Sequence, residues 1–148
     1  MSVDEFVERA VALARPEYEY HIPAKKYVKE KLVALKNNGH SLNVLTASPH
    51  SVLDACLKRV GLYDLFDNVW SCDDFHCSKA ETKIYCDVAE KLNQKIENCC
   101  FVDDNVNAVS TAKKAGMIAV GVYDDSSGEF VEEMKKVSDR YIFGFNEL

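Results

Sequence analysis

The sequence is poor in glycine and proline, with only six glycines and three prolines in 148 residues. None of the glycines forms a Gly-x-Gly-x-x-Gly turn, so nothing is available to lay backbone against a dinucleotide pyrophosphate, and a nucleotide-dependent oxidoreductase is disfavoured. There is no surplus of cations: 18 Lys and Arg stand against 24 Asp and Glu, a net charge of −6. The acids are spread along the chain rather than gathered in a tail. Broad attraction to nucleic acid or to an anionic membrane surface is therefore not expected, and an anionic substrate needs a local positive site or a metal ion. No apolar run is long enough to span a bilayer. The first residues, Met1–Glu8, are polar and helical in pattern rather than like a signal peptide. No repeat or low-complexity tract is present. One domain able to bury its own core is expected from the length.

Six cysteines are present, Cys56, Cys72, Cys77, Cys86, Cys99 and Cys100. With no secretory signature, they are expected to be reduced, mostly buried thiols of a cytoplasmic protein. Cys72-x4-Cys77 with His76 fits no standard zinc spacing.

What is there is a change of period. Ser2–Glu5 reads as a capping box opening a helix with Phe6, Val7, Ala10, Val11 and Ala14 on one face, and Pro16 just past its end. Residues 18–23 read as irregular. A second helix is expected from about Ala24, with Tyr27, Val28, Leu32 and Leu35 inward, stopped at Asn37-Asn38-Gly39. From residue 42 short apolar runs alternate with helical patterns. Strands are expected at 42–46, within 66–71, at 99–103, at 117–122 and at 140–143. Between them lie helices, one starting at Pro49 and others capped at Ser78–Glu81 and Ser126–Glu129. Alternation of this kind is the signature of an α/β fold, a three-layer Rossmann-like parallel sheet with helices on both faces. Residues 1–22 are expected to be a helical piece of a cap and 23–148 the α/β core.

In parallel sheets ligands bind beyond the C-terminal strand ends. Thr46, with Ser48 close behind, ends the first strand, and Asp103 and Asp104 end the third. Lys79 opens a helix expected in the same layer. A hydroxyl, an ammonium and backbone N–H groups can hold phosphoryl oxygens. Two adjacent carboxylates repel each other unless a cation satisfies them, and Mg²⁺ is the natural partner. Binding a phosphoryl group and neutralising its charge is most of what phosphoryl transfer requires.

Three segments in order carry a family resemblance. Leu42–Pro49 (LNVLTASP), Lys79–Tyr85 (KAETKIY), and Phe101–Asn105 (FVDDN) with Ala112–Met117 (AKKAGM) resemble the second, third and fourth motifs of the haloacid dehalogenase superfamily. The resemblance covers roughly residues 20–148. It implies that Thr46, Ala47, Ser48 and Lys79 bind phosphate, that Lys79 and Asp104 are catalytic, and that Asp103 and Asp104 hold Mg²⁺, with Asn105 a second contact. Asp103 stands where many relatives have glycine, and Ala80 and Thr82 where many have proline.

Such proteins open with a strand ending in Asp-x-Asp-x-Thr, whose first Asp is the nucleophile and whose second is acid and base. No Asp-x-Asp occurs in this sequence. Neither Val3-Asp4-Glu5, Cys72-Asp73-Asp74 nor Tyr123-Asp124-Asp125-Ser126 substitutes for it. In the family that strand lies between the one ending at Thr46 and the one ending at Asp103. The core is thus expected to lack its first, central strand. Direct pairing of the flanking strands, a strand from another chain, and a start upstream of Met1 are the three explanations, the last favoured. The function expected is a Mg²⁺-dependent phosphomonoesterase for a small phosphorylated metabolite, with little activity as this chain. The alternative is a phosphate-binding or regulatory module without turnover. An exposed sheet edge makes a homodimer plausible.

Overall fold

The computed structural model describes all residues, 1–148. It consists of two compact units, Met1–Ser71 and Cys72–Leu148.

The first unit runs α1 (Val3–Pro16), a π-turn (Glu17–His21), α2 (Val28–Asn37), β1 (Asn43–Thr46), α3 (His50–Arg59), a 3-10 turn (Tyr63–Leu65) and β2 (Asn68–Ser71). The box at the start of α1 forms as expected: the Glu5 backbone N–H donates to Ser2 Oγ at 3.2 Å and the Ser2 N–H to Glu5 Oε2 at 2.7 Å. Pro16 is the last residue of α1 rather than lying beyond it, and residues 17–21 are a wide helical turn rather than irregular. The second helix begins at Val28, later than Ala24. Tyr27 is held left-handed with φ 64° and is exposed rather than inward, so the helix cannot propagate back through it. Strands β1 and β2 pair in parallel, with Thr46 opposite Ser71. Asp67 sets the entry to β1, its carboxylate accepting from the Leu42 N–H at 2.9 Å and from Ser41 Oγ at 3.1 Å. Leu32, Leu42 and Leu62 form the buried centre of this unit, flanked by Val28, Leu35 and Phe66.

The second unit runs a 3-10 turn (Cys72–Phe75), α4 (Thr82–Lys91), β3 (Cys100–Asp103), α5 (Val106–Ala115), β4 (Ile118–Val122), a 3-10 segment (Asp125–Phe130), α6 (Val131–Val137) and β5 (Arg140–Ile142). The sheet is parallel in the order β3–β4–β5. The strands thus form two separate parallel sheets, two-stranded and three-stranded, in keeping with an α/β core whose sheet is partial. Four of the five residues of β4 are buried, as a central parallel strand demands. Ala119 packs with Val109 and Met134, while Val120 and Val122 pack with Ile142, Phe145 and Leu148. Gly121 is required by contact: a Cβ there would sit 2.4 Å from Met134 Cγ. Gly116 closes α5 in the left-handed region at φ 112°, where a side chain is strained.

Two caps differ from the sequence reading. Helix α4 starts at Thr82, not Ser78. Glu81 does reach back to the Ser78 N–H, at 3.0 Å, but the Ser78 hydroxyl takes the Ala80 N–H, so residues 78–81 close a turn instead of a helix start. Similarly Asp124, not Ser126, caps the 3-10 segment before α6, accepting from the Ser126 N–H at 2.9 Å. The cysteines are all unpaired, but only Cys72 and Cys99 are buried, and Cys86 and Cys100 are exposed. The expectation of mostly buried thiols is corrected accordingly.

Tyr85 is the largest fully buried side chain. Its hydroxyl lies 2.7 Å from the Lys79 carbonyl and 3.1 Å from the Ala108 carbonyl, which ties the turn before α4 to the first turn of α5. Burial pushes the phenol's pKa well above its ordinary value, so it stays a hydrogen donor. Tyr85→Phe should cost about 1–3 kcal/mol, the range for leaving a buried acceptor unsatisfied. Urea unfolding followed by circular dichroism checks this, and an unchanged midpoint would contradict it.

Candidate active site

Strand alternation builds the centre of the site. In β3, Phe101 and Asp103 are two residues apart and share a face. The Lys79 side chain lies along that face. Its ammonium is 5.9 Å from the Phe101 ring centroid and 2.6 Å from Asp103 Oδ2. The pair is largely shielded, with the Lys79 and Asp103 side chains 20% and 10% exposed. Tyr85 completes the support, edge-on to Phe101 at 5.1 Å. A shielded pair of this kind adds little net stability, because desolvation offsets attraction. Its consequence is orientation, since the lysine is held by an acid below, an aromatic face beside it and a pinned backbone behind. Lys79 itself sits in the turn three residues before α4, not at the head of that helix.

Asp103 uses both oxygens within the chain. Oδ2 takes Lys79, and Oδ1 accepts the Asn105 N–H at 2.8 Å. Asn105 caps α5, its Oδ1 accepting from the Ala108 N–H at 3.0 Å. Asp104, between them, is half-buried. Burial pushes its carboxyl above the ordinary aspartate value, and the charges of Asp103 and Asp124 push it further. It faces an open pocket of about 360 Å³ lined also by Asn107, Ser126, Ser127, Phe130 and Glu133.

In the first unit, Thr46 is the last residue of β1. Its Oγ1 accepts the Ser48 N–H at 3.1 Å, so that N–H is engaged locally rather than open to an anion, and the hydroxyl hydrogen remains as a donor. Ala47 is exposed and Ser48 half-buried, the Ser48 hydroxyl 3.1 Å from the Tyr18 hydroxyl. Lys79, Asp103, Asp104 and Asn105 are thus gathered in the second unit, and Thr46, Ala47 and Ser48 follow one another in the first. The roles of Tyr85 and Tyr18 were not read from the sequence. Tyr85 lies in the apolar stripe of α4 with Ile84 and Val88, and a tyrosine in such a stripe is the one sequence signal of a buried hydroxyl that needs a partner.

The residues at the end of β3 suit magnesium. No three His, Cys, Asp or Glu side chains gather to enclose a metal. Mg²⁺ does not need such a cage, because it binds through one or two carboxylates and completes its shell with water and substrate phosphate. A raised carboxyl beside a second carboxylate is the electrostatic situation that a divalent cation relieves.

Comparison with known proteins places the chain. A model of the haloacid dehalogenase-like hydrolase family matches residues 4–116. Hexitol phosphatase B of Escherichia coli is 31% identical over 121 residues, which is 82% of this chain and 54% of that protein. A phosphoglycolate phosphatase of Colwellia psychrerythraea is 28% identical over 82% of this chain and 53% of its own length. The chain therefore spans about half the length of these relatives. Among solved structures, a HAD hydrolase of Entamoeba histolytica superposes with a TM-score of 0.84 at 21% identity, over 100% of this chain and 69% of that one. The β3-end cluster, the partial parallel sheets and these matches agree, and the chain belongs to the haloacid dehalogenase-like hydrolase family.

Proposed function

We propose that this chain carries the phosphate- and metal-handling groups of a Mg²⁺-dependent phosphomonoesterase acting on a small phosphorylated metabolite. The observation that carries the reading is the oriented Lys79–Asp103 pair beside the raised carboxyl of Asp104. Lys79 supplies positive charge toward a phosphoryl group. Asp104, with Asp103 behind it, would hold Mg²⁺, which supplies Lewis-acid neutralisation of phosphoryl charge. The Thr46 hydroxyl, the Ala47 N–H and the Ser48 hydroxyl donate to phosphoryl oxygens, the Ser48 N–H being held by Thr46 Oγ1, and Asn105 is a second contact at the α5 start. Relatives bear the names hexitol phosphatase and phosphoglycolate phosphatase, which fits a small polar phosphate ester. A cytoplasmic setting agrees with the unpaired cysteines and with the absence of any helix long and apolar enough to cross a membrane.

Covalent catalysis by this family's route needs an aspartate in an Asp-x-Asp segment, and the sequence contains none. The chain by itself is therefore read as holding phosphate with Mg²⁺ and not turning it over. Incubation with p-nitrophenyl phosphate and Mg²⁺ should release no p-nitrophenolate above the protein-free rate. Robust release, lost in Asp104→Ala, would show that a nucleophile acts from elsewhere in the chain.

Calorimetric titration with inorganic phosphate in Mg²⁺ should show binding that Asp104→Asn and Thr46→Val each weaken at least about tenfold, the scale of losing a hydrogen bond to a charged group. Equal binding by wild type and both variants would overturn the assignment.

The raised Asp104 carboxyl also predicts a pH effect. The folded chain holds this proton more tightly than the unfolded chain, so its contribution to stability is lost as pH rises through the carboxylate range. Without metal, Asp104→Asn should be more stable than wild type at neutral pH, and the difference should vanish in acid. Urea midpoints across that range check it, and a variant less stable at neutral pH would contradict it.

A further inference from the structure

The turn after β1 is tied to one residue far away in the sequence. The Tyr18 hydroxyl lies 3.1 Å from the Ser48 hydroxyl, across a separation of 30 residues. Tyr18 is half-buried and belongs to the π-turn Glu17–His21, in which the Ile22 N–H donates to the Glu17 carbonyl at 2.9 Å. Single π-turns are rare and recur at functional sites. This one is also anchored by α3. Arg59 Nη2 donates to the Tyr18 carbonyl at 3.2 Å and to the Ile22 carbonyl. The backbone that carries Tyr18 is therefore fastened to the helix that leads out of the Thr46–Ser48 turn.

Ser48 is thereby held at two atoms. Its N–H donates to Thr46 Oγ1 at 3.1 Å, and its hydroxyl meets Tyr18. A serine hydroxyl has one hydrogen to give and two lone pairs that accept. When Ser48 gives that hydrogen to Tyr18, none remains for an anion. When Tyr18 donates instead, Ser48 accepts through a lone pair and its own hydrogen is free for a phosphoryl oxygen. An anion at the turn selects the second arrangement. The bonds then run in one direction, from the Tyr18 O–H to Ser48 Oγ and from the Ser48 O–H to the anion, and each polarises the next. A serine without such a partner also spreads over its staggered rotamers, and fixing one of them beforehand lowers the cost of binding.

We propose that Tyr18 is a positioning residue for phosphate: it donates to Ser48 Oγ and so directs the Ser48 hydroxyl hydrogen at a phosphoryl oxygen. This rests on the reading of Thr46, Ala47 and Ser48 as phosphate donors, and adds to it the residue that sets the direction of one of them. Tyr18 acts through Ser48 and does not touch the ligand. Both residues lie in the first unit, as does Arg59. A purely structural staple between the π-turn and β1 would hold with the hydrogen pointing either way and would be indifferent to phosphate.

Two measurements on the whole 148-residue chain in Mg²⁺, with inorganic phosphate as the probe, test this. In calorimetry, Tyr18→Phe keeps the ring and should weaken binding about threefold, the scale of one neutral hydrogen bond, while Ser48→Ala should weaken it about tenfold. The two losses should not add, because Tyr18→Phe costs nothing further once the Ser48 hydroxyl is gone. Circular dichroism checks that each variant is folded. In NMR, the Tyr18 Cζ resonance of the wild-type chain should shift when phosphate is added, a reading that requires no variant, and the shift should be absent in Ser48→Ala. Phosphate binding that Thr46→Val weakens but Tyr18→Phe leaves unchanged, losses that add, or a Tyr18 resonance that ignores phosphate would each overturn this inference alone. A shift that survives in Ser48→Ala would put Tyr18 in direct contact with the ligand and overturn it as well. A wild-type chain that binds no phosphate would overturn the proposed function and this inference with it.

Discussion

The site depends on two carboxylates set side by side where β3 ends. Such a pair is costly, and the structure treats its members differently. Asp103 is neutralised from within, by the Lys79 ammonium at 2.6 Å and by the Asn105 N–H. Asp104 is left half-buried, with its carboxyl raised by burial and by its neighbour. One acid orients a lysine and the other keeps a raised carboxyl beside an open pocket. The proposed function rests on this division between the two acids.

The rest of the second unit serves this arrangement. Phe101 gives the lysine a face to lie against, Tyr85 locks its backbone turn to α5, and Asn105 caps α5. The Tyr85 hydroxyl bonds the carbonyls of Lys79 and Ala108, so core packing and site geometry are one problem here. In the first unit, the Thr46 hydroxyl oxygen accepts the Ser48 N–H at the end of β1.

Much of this was legible in the sequence. The α/β class, the parallel pairing and the five strands follow from short apolar runs alternating with helical periods. Gly39 and Gly116 end their helices where a left-handed residue is needed. Element starts were less legible. Ser78 and Ser126 each head a pattern that reads as a cap, but each lies in a tight turn whose partners are set by other residues, Glu81 in one and Asp124 in the other. Tyr27 reads as an inward helical residue, and only the backbone shows that it turns left-handed before α2. The exposure of Cys86 on α4 and of Cys100 at the start of β3 depends on what packs against them, which spacing does not carry. In the site, residue types and order pointed to Lys79 and the Asp103-Asp104 pair. The division of labour between the two acids needed coordinates, as did Tyr85, because neither is a property of spacing.

Carboxyl ¹³C NMR titration of Asp104, with and without Mg²⁺, is the most direct measurement. The account predicts that Asp104 titrates above the ordinary aspartate value in the metal-free chain, and that Mg²⁺ drives its midpoint down while shifting its resonance. An Asp104 carboxyl that titrates like an ordinary surface aspartate and ignores magnesium would contradict it.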